Sequence, residues 1–312
     1  MSDKVSCRKA FTDALLKYGR ENKNIFALAT DSSGSVTLGS FVKELPEQYI
    51  ELGIAEQNAV TIGAGLSSVG KNVFVCGPAC FLAARSFEQV KIDVAYNKSS
   101  VKIVGVSAGV SYGPLGGTHT SLHDIAGARA LPNIHIYVPA DAEETKFITN
   151  HLCHSDEPAY IRMGRGDVNA VYEEGEEFQI GKAKIICEGT DLAIIACGEM
   201  VYPAKLAVGL LKEQGVQARL LDLFCIKPFD EAAIVKAAKE TGAILTLEEH
   251  SFNGGLGELA AHTVAENCPV PMKIMGFPDE EVLVGNSAEL FKYYGFTPGK
   301  IAENALQLME RK

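Results

Sequence analysis

Ile25-Phe26-Ala27-Leu28-Ala29-Thr30, followed at once by Asp31-Ser32-Ser33-Gly34-Ser35, is an apolar run too short for a helix and closed by a polar turn. Such a run reads as a strand buried on both faces. The pattern returns at Val73–Cys76, Val101–Val106, Ile134–Val138 and Ala159–Arg162. Between these lie stretches with helical spacing: Arg8–Gly19, Glu56–Val69, Leu82–Tyr96, Ser121–Leu131 and Ala142–His151. Near-continuously apolar strands alternating with helices imply a parallel sheet covered on both faces.

Tyr172-Glu173-Glu174-Gly175-Glu176-Glu177-Phe178 gathers four carboxylates around one glycine and reads as a solvated linker. Beyond it the alternation restarts with Leu192–Ala196, Ala204–Glu213, Ala218–Leu223, Glu231–Glu240, Ala243–Leu247 and Leu256–Ala265. The predicted fold class is therefore α/β in two domains, each a largely parallel sheet covered by helices. The domains fall at residues 1–175 and 187–312, with the linker at 176–186. A length of 312 residues with 47% apolar content can fill two cores.

A formal charge of −10 makes a phosphate-neutralising stripe improbable, so nucleic acid is a poor partner, although one Arg or Lys can still hold one small phosphate. The eight cysteines are scattered, mostly inside apolar runs, and none has Cys-x-x-Cys spacing. That argues against a zinc ribbon and for buried thiols in a reducing compartment. Met1-Ser2-Asp3-Lys4-Val5 lacks the apolar core of a signal peptide, and no apolar run is long enough to span a bilayer. These features predict a soluble cytoplasmic protein without a membrane partner.

In parallel α/β sheets ligands sit beyond the carboxyl ends of strands. The residues there are Asp31–Ser35, Gly53–Glu56, Gly77–Phe81, Ser107–His119 and Arg162–Arg165. Glu56 opens a small-residue helix, where the dipole alone favours a carboxylate by roughly 0.3–1 kcal/mol. The surrounding Gly53-Ile54-Ala55-Glu56-Gln57-Asn58, however, resembles the signature of the transketolase family. The resemblance also rests on Arg8-Lys9-Ala10, Asp31–Ser35 and Gly116-Gly117-Thr118-His119. Past the linker it takes in Leu221-Asp222-Leu223-Phe224-Cys225-Ile226-Lys227-Pro228, Leu247-Glu248-Glu249-His250 and Gly254-Gly255-Leu256-Gly257. It covers nearly the whole chain but only half of a usual transketolase: the pyrimidine-binding domain and the C-terminal domain.

What the resemblance implies is thiamine diphosphate chemistry. The cofactor supplies a carbanion, and the protein supplies binding and proton control. Glu56 would share a proton with a pyrimidine nitrogen inside a mostly apolar pocket that includes Ile54, Ala55, Val60 and Ile62. Phe81 would stack on the pyrimidine, with ordinary core packing as its alternative. Asp31 matches a position near the cofactor, although a capping aspartate is as good a reading. His119 would contact substrate near the reacting carbon; a structural histidine is the alternative, and a metal site with His123 lacks a third ligand. Arg8, Ser35 and Arg165 match positions that bind the sugar phosphate, against readings as a surface ion pair, a turn hydroxyl and a loop charge.

Two departures stand out. Leu115 occupies the place of an aspartate that reads hydroxyl configuration, and Ser107 that of a phosphate-contacting histidine. The Gly-Asp-Gly run that holds the diphosphate through magnesium is also missing; Gly166-Asp167-Val168-Asn169 is too compact. The resemblance therefore implies the C-terminal subunit of a split transketolase, a heterotetramer of pentose phosphate chemistry. A partner chain would hold the magnesium and the diphosphate, and the pair would move a two-carbon ketol unit from a ketose phosphate to an aldose. The alternatives are the beta subunit of a 2-oxo acid dehydrogenase and a non-catalytic paralogue.

Overall fold

The computed structural model describes residues 4–312, so Met1–Asp3 of the leader reading lie outside the described residues. Seven strands form the first sheet, ordered Cys225–Lys227, His135–Tyr137, Ala159–Arg162, Val101–Val106, Asn72–Pro78, Ile25–Ala29 and Tyr49–Glu51. All its pairings are parallel except that of Cys225–Lys227. The central strands are buried along their whole length, as expected of a sheet with helices on both faces. A second, five-stranded sheet runs Met272–Phe277, Ile244–Ser251, Leu192–Ala196, Ala218–Asp222 and Lys184–Cys187, with the last strand antiparallel. Two mainly parallel sheets covered by helices are what the periodicity predicts.

Three departures from the sequence reading bear on the site. Leu82–Tyr96 is not one helix. It breaks at Ser86, which leaves helical geometry and whose hydroxyl donates to the Leu82 carbonyl at 2.6 Å. The chain instead forms Ala79–Arg85, Phe87–Gln89 and a wider-wound π-helical Val90–Tyr96. Phe81 consequently sits in the first turn of a helix rather than in a loop after the strand.

Second, Cys225–Lys227, past the linker in sequence, pairs with the edge of the first sheet through Cys225 and Tyr137. Phe224, Cys225 and Ile226 are all buried, so returning this strand covers apolar surface that neither sheet covers alone. One apolar core accordingly contains Leu28, Ile136 and Tyr160 together with Ile195, Leu221 and Ile234.

Third, the expected solvated linker is pinned at both ends. The buried Tyr172 hydroxyl donates to Asp222 at 2.8 Å, and the Phe178 ring lies 4.8 Å from that of Tyr172. Glu173–Glu177 between them are exposed.

A buried ion pair also joins the halves. Arg162 Nε donates to Asp124 at 2.9 Å while its Nη2 reaches the Glu249 carbonyl at 2.6 Å. Burial opposes ionisation of Asp124 more than any one neighbour favours it, but the Arg162 charge, the neighbouring histidines and the Tyr160 hydroxyl bond together hold the carboxyl below its usual range. No helix among the described residues is long and apolar enough to cross a membrane.

Candidate functional site

Arg8, Ser35 and Arg165 come together from opposite ends of the first domain. Val5–Ser6 pairs with Asp167–Val168, so the compact Gly166–Asn169 segment serves as a short antiparallel ribbon. That ribbon sets Arg8, in the first turn of the Cys7–Glu21 helix, beside Arg165. Arg8 donates one guanidinium nitrogen to the Ser35 carbonyl and another to the Arg165 carbonyl. Arg165 Nη1 donates to the Tyr112 hydroxyl at 2.6 Å, and Ser35 Oγ lies 3.2 Å from the same oxygen. Burial, and then the neighbouring Arg165, lower the Arg8 pKa, the signature of a cationic hollow. The three residues expected to hold a phosphate therefore share one hollow, each half-buried.

Glu56 is the first residue of the Glu56–Ser68 helix and is only 4% exposed. It lines an open cavity of about 550 Å³ with Ile54, Ala55, Gln57, Asn58 and Arg85. Arg85 Nη1 stands 3.2 Å from Glu56 Oε1, and the same guanidinium lies 4.0 Å from the centre of the Phe81 ring. Gly53, with φ 67°, turns the chain so that Ile54 is 74% exposed and does not supply the apolar cover expected over Glu56. Ala59 and Val60 of the helix are buried, and Ile62 is half-buried.

His119 follows the 3₁₀-helical turn Gly113–Thr118. Gly116 takes φ 71°, and its carbonyl accepts the His119 N–H at 2.9 Å, which presents the imidazole beside Phe81. The ring centroids are 5.2 Å apart, edge to face, and on the other side His119 stands 5.8 Å from Tyr112. Its Nδ1 pairs with Thr118 Oγ1 at 2.8 Å.

The second domain holds this loop from behind. A Cβ on Gly113 would lie 2.3 Å from the Gly285 carbonyl oxygen, and Ser287 Oγ donates to the Val110 carbonyl at 3.1 Å. Glu249 accepts the Val110 N–H at 2.8 Å, beneath Gly109 in its left-handed conformation.

The contacts thus run in one row: Glu56, Arg85, Phe81, His119, Tyr112, Arg165, Arg8, with Ser35 beside the last three. Asp31 joins differently. Its side chain is exposed, and its N–H donates to Glu51 at 2.7 Å. Glu51 also accepts the Leu52 and Gly53 N–H groups and the Tyr49 hydroxyl. Burial works against its charge, but these hydrogen bonds hold its pKa below the usual range. Leu115 is 55% exposed at the rim, whereas Ser107 is buried with a left-handed backbone and an unpartnered hydroxyl.

Sequence reasoning missed Tyr112, Arg85 as a partner of Glu56, and Glu51. A single tyrosine inside the glycine-rich Ser107–Gly117 run was the available signal for Tyr112. The Glu248-Glu249-His250 motif also has a physical basis. Glu248 accepts the Leu256 and Gly257 N–H groups at 2.7 and 2.8 Å and so caps a helix, while His250 lies buried against Asp124. Burial lowers the His250 pKa to about 4, which keeps the ring neutral.

The family model "Transketolase, pyrimidine binding domain" matches residues 3–170, and "Transketolase, C-terminal domain" matches residues 181–301. The chain is 54% identical to an apulose-4-phosphate transketolase subunit of Phocaeicola vulgatus, over 98% of either chain. It is 32% identical to human transketolase, covering 97% of this chain and 49% of that protein. Among solved structures, a split gene transketolase described as an inactive beta4 tetramer superposes with a TM-score of 0.90 at 35% identity, over 99% of this chain and 100% of that one.

Proposed function

The chain belongs to the transketolase family, and from that premise we propose that it is one subunit of a split, thiamine diphosphate-dependent transketolase. With a partner chain carrying the diphosphate-binding domain, it moves a two-carbon ketol unit from a ketose phosphate to an aldose. The observation that carries this reading is the unbroken row of contacts from Glu56 through His119 to Arg8.

The buried Glu56 carboxylate and the Phe81 face fit the pyrimidine end of the cofactor. Once bound, thiamine diphosphate supplies the nucleophilic carbon that ketol transfer needs. Glu56 holds a proton at a pyrimidine nitrogen, and Phe81 offers its ring for stacking once Arg85 swings aside. Arg85, with a side chain 49% exposed, is free to do so. His119 moves a proton at the substrate oxygen next to the reacting carbon. Arg8, Ser35 and Arg165 hold the phosphate end and so fix the sugar's reach to His119. Asp31, exposed at the strand end, would be a further contact to the cofactor.

Among the described residues, no group of three or more His, Cys, Asp and Glu gathers as a metal site, and we assign the magnesium to the partner. The human relative, of which this chain matches only half, and the solved beta4 tetramer described as inactive both favour a function completed by another chain. The eight unpaired cysteines suit the reducing cytoplasm, where we place the protein.

The test is reconstitution of this chain with its copurifying partner, thiamine diphosphate and magnesium. Apulose 4-phosphate is the first donor to assay, given the name of the 54% identical relative. Ketol transfer is expected. Pyruvate decarboxylation without ketol transfer overturns the reading in favour of a 2-oxo acid dehydrogenase component.

A further inference from the structure

Tyr112 lies between the two ends of the candidate site and touches both. Towards the anion pocket, its hydroxyl accepts a hydrogen bond from Arg165 Nη1 at 2.6 Å and lies 3.2 Å from Ser35 Oγ. The Arg165 guanidinium carbon is 4.8 Å from the centre of its ring. Towards the other end, the His119 imidazole stands edge-on to the same ring, with centroids 5.8 Å apart.

Among the described residues no carboxylate hydrogen-bonds either arginine of the pocket; Asp167 and Glu199 offset the charge of Arg8 only from a distance. Arg8 spends its hydrogen bonds on main-chain carbonyls, its Nε is buried without a partner, and Arg165 destabilises its charge. A bound anion relieves that repulsion. A phenol hydroxyl has one proton to donate and two lone pairs. With Arg165 on one lone pair, the proton remains for Ser35 Oγ or for an anion oxygen in its place.

We propose that Tyr112 is a ligand of the substrate's phosphate group and a determinant of specificity. Its hydroxyl donates to a phosphate oxygen held by Arg8 and Arg165, and its ring sets the span between that phosphate and His119. The inference rests on the ketol-transfer reading above and adds a residue to it. A ketose that ends in phosphate at that span engages the arginines and His119 together. An uncharged ketose reaches His119 but leaves the arginines facing each other.

The test compares the reconstituted pair, with and without Tyr112→Phe, on a ketose phosphate and on uncharged erythrulose. Losing one charge-assisted hydrogen bond predicts that the preference for the phosphorylated ketose, as a ratio of kcat/KM values, falls about tenfold, mainly through KM. Tyr112→Leu, which also removes the ring against His119, lowers kcat as well. A preference in Tyr112→Phe within about twofold of the parent's overturns the proposal. If the parent pair shows no ketol transfer, the functional reading fails, and Tyr112 is then tested by itself. Inorganic phosphate titrated into this chain by calorimetry should bind several-fold more weakly to Tyr112→Phe, and equal affinity overturns the proposal.

Discussion

Arg85 Nη1 stands 3.2 Å from Glu56 Oε1, so a half-exposed arginine on one helix closes over a buried carboxylate that opens another. A pair with one exposed member contributes little to stability, on the order of 0–1 kcal/mol. What Glu56 does for the fold and what it does for chemistry are therefore separable.

Glu56→Gln keeps the shape and removes the acid. Ketol transfer by the reconstituted pair should fall by at least about a hundredfold, the usual scale of a lost acid–base group. The urea midpoint of this chain should barely move. A large drop in midpoint with activity falling in parallel would instead make Glu56 a structural residue.

Gly113 has no room for a side chain, because a Cβ there would sit 2.3 Å from the Gly285 carbonyl oxygen. Gly113→Ala must push the loop that carries His119 away from the second domain. Overpacking of this kind costs about 1–3 kcal/mol, and kcat should fall with it. Gly117→Ala, where no atom lies within 4 Å of the added carbon, is the matched control and should leave stability nearly unchanged. Urea unfolding of both variants, together with kinetics of the reconstituted pair, checks the contrast.

Arg162 and Asp124 are both buried, and each is the other's charge partner. Arg162→Met leaves Asp124 without its cation and should cost about 3–5 kcal/mol in urea unfolding. Adding Asp124→Asn should restore part of that loss, since the buried charge is then gone. A double variant no more stable than the single one would show that packing, not charge, is what Arg162 contributes.

The inner strands of both sheets were legible because burial on both faces writes itself as unbroken apolar runs; Val101–Val106 and Leu192–Ala196 have the same ends in sequence and structure. The partly buried edge strands Tyr49–Glu51, Lys184–Cys187 and Met272–Phe277 went unread. The break at Ser86 was not legible either, since one serine inside a helical period carries no warning. Nor was the return of Cys225–Lys227 to the first sheet, which depends on a tertiary surface that it covers. The two C-terminal helices, Ser287–Tyr293 and Pro298–Met309, went unread although Asn286 with Glu289 and Thr297 with Pro298 mark their starts. In the site, Arg8 and Arg165 were found by resemblance, but nothing local places residues so distant in sequence side by side. That depends on the Val5–Ser6 ribbon. Tyr112 and Glu51 act through contacts that only folding makes.

Asp222 makes the stability of the fold depend on pH. It is fully buried, and burial pushes its carboxyl up to about 8, although the Tyr172 hydroxyl bond works the other way. In the unfolded chain an aspartate loses its proton near pH 4. Between roughly pH 4 and 8 the folded form therefore binds more protons than the unfolded form, and stability must fall as pH rises. Glu249, raised to about 8 by burial and by Glu199, adds to the same slope. His250, lowered to about 4 by burial, acts at the other end: its contribution is complete above about pH 6.5 and is lost as pH falls through 4. Asp222→Asn keeps an acceptor for Tyr172 and removes the titrating group. Its urea stability should decline less between pH 6 and 9 than that of the parent, with the gap opening as pH rises. Parallel stability curves across that range would mean that Asp222 titrates normally in the folded protein.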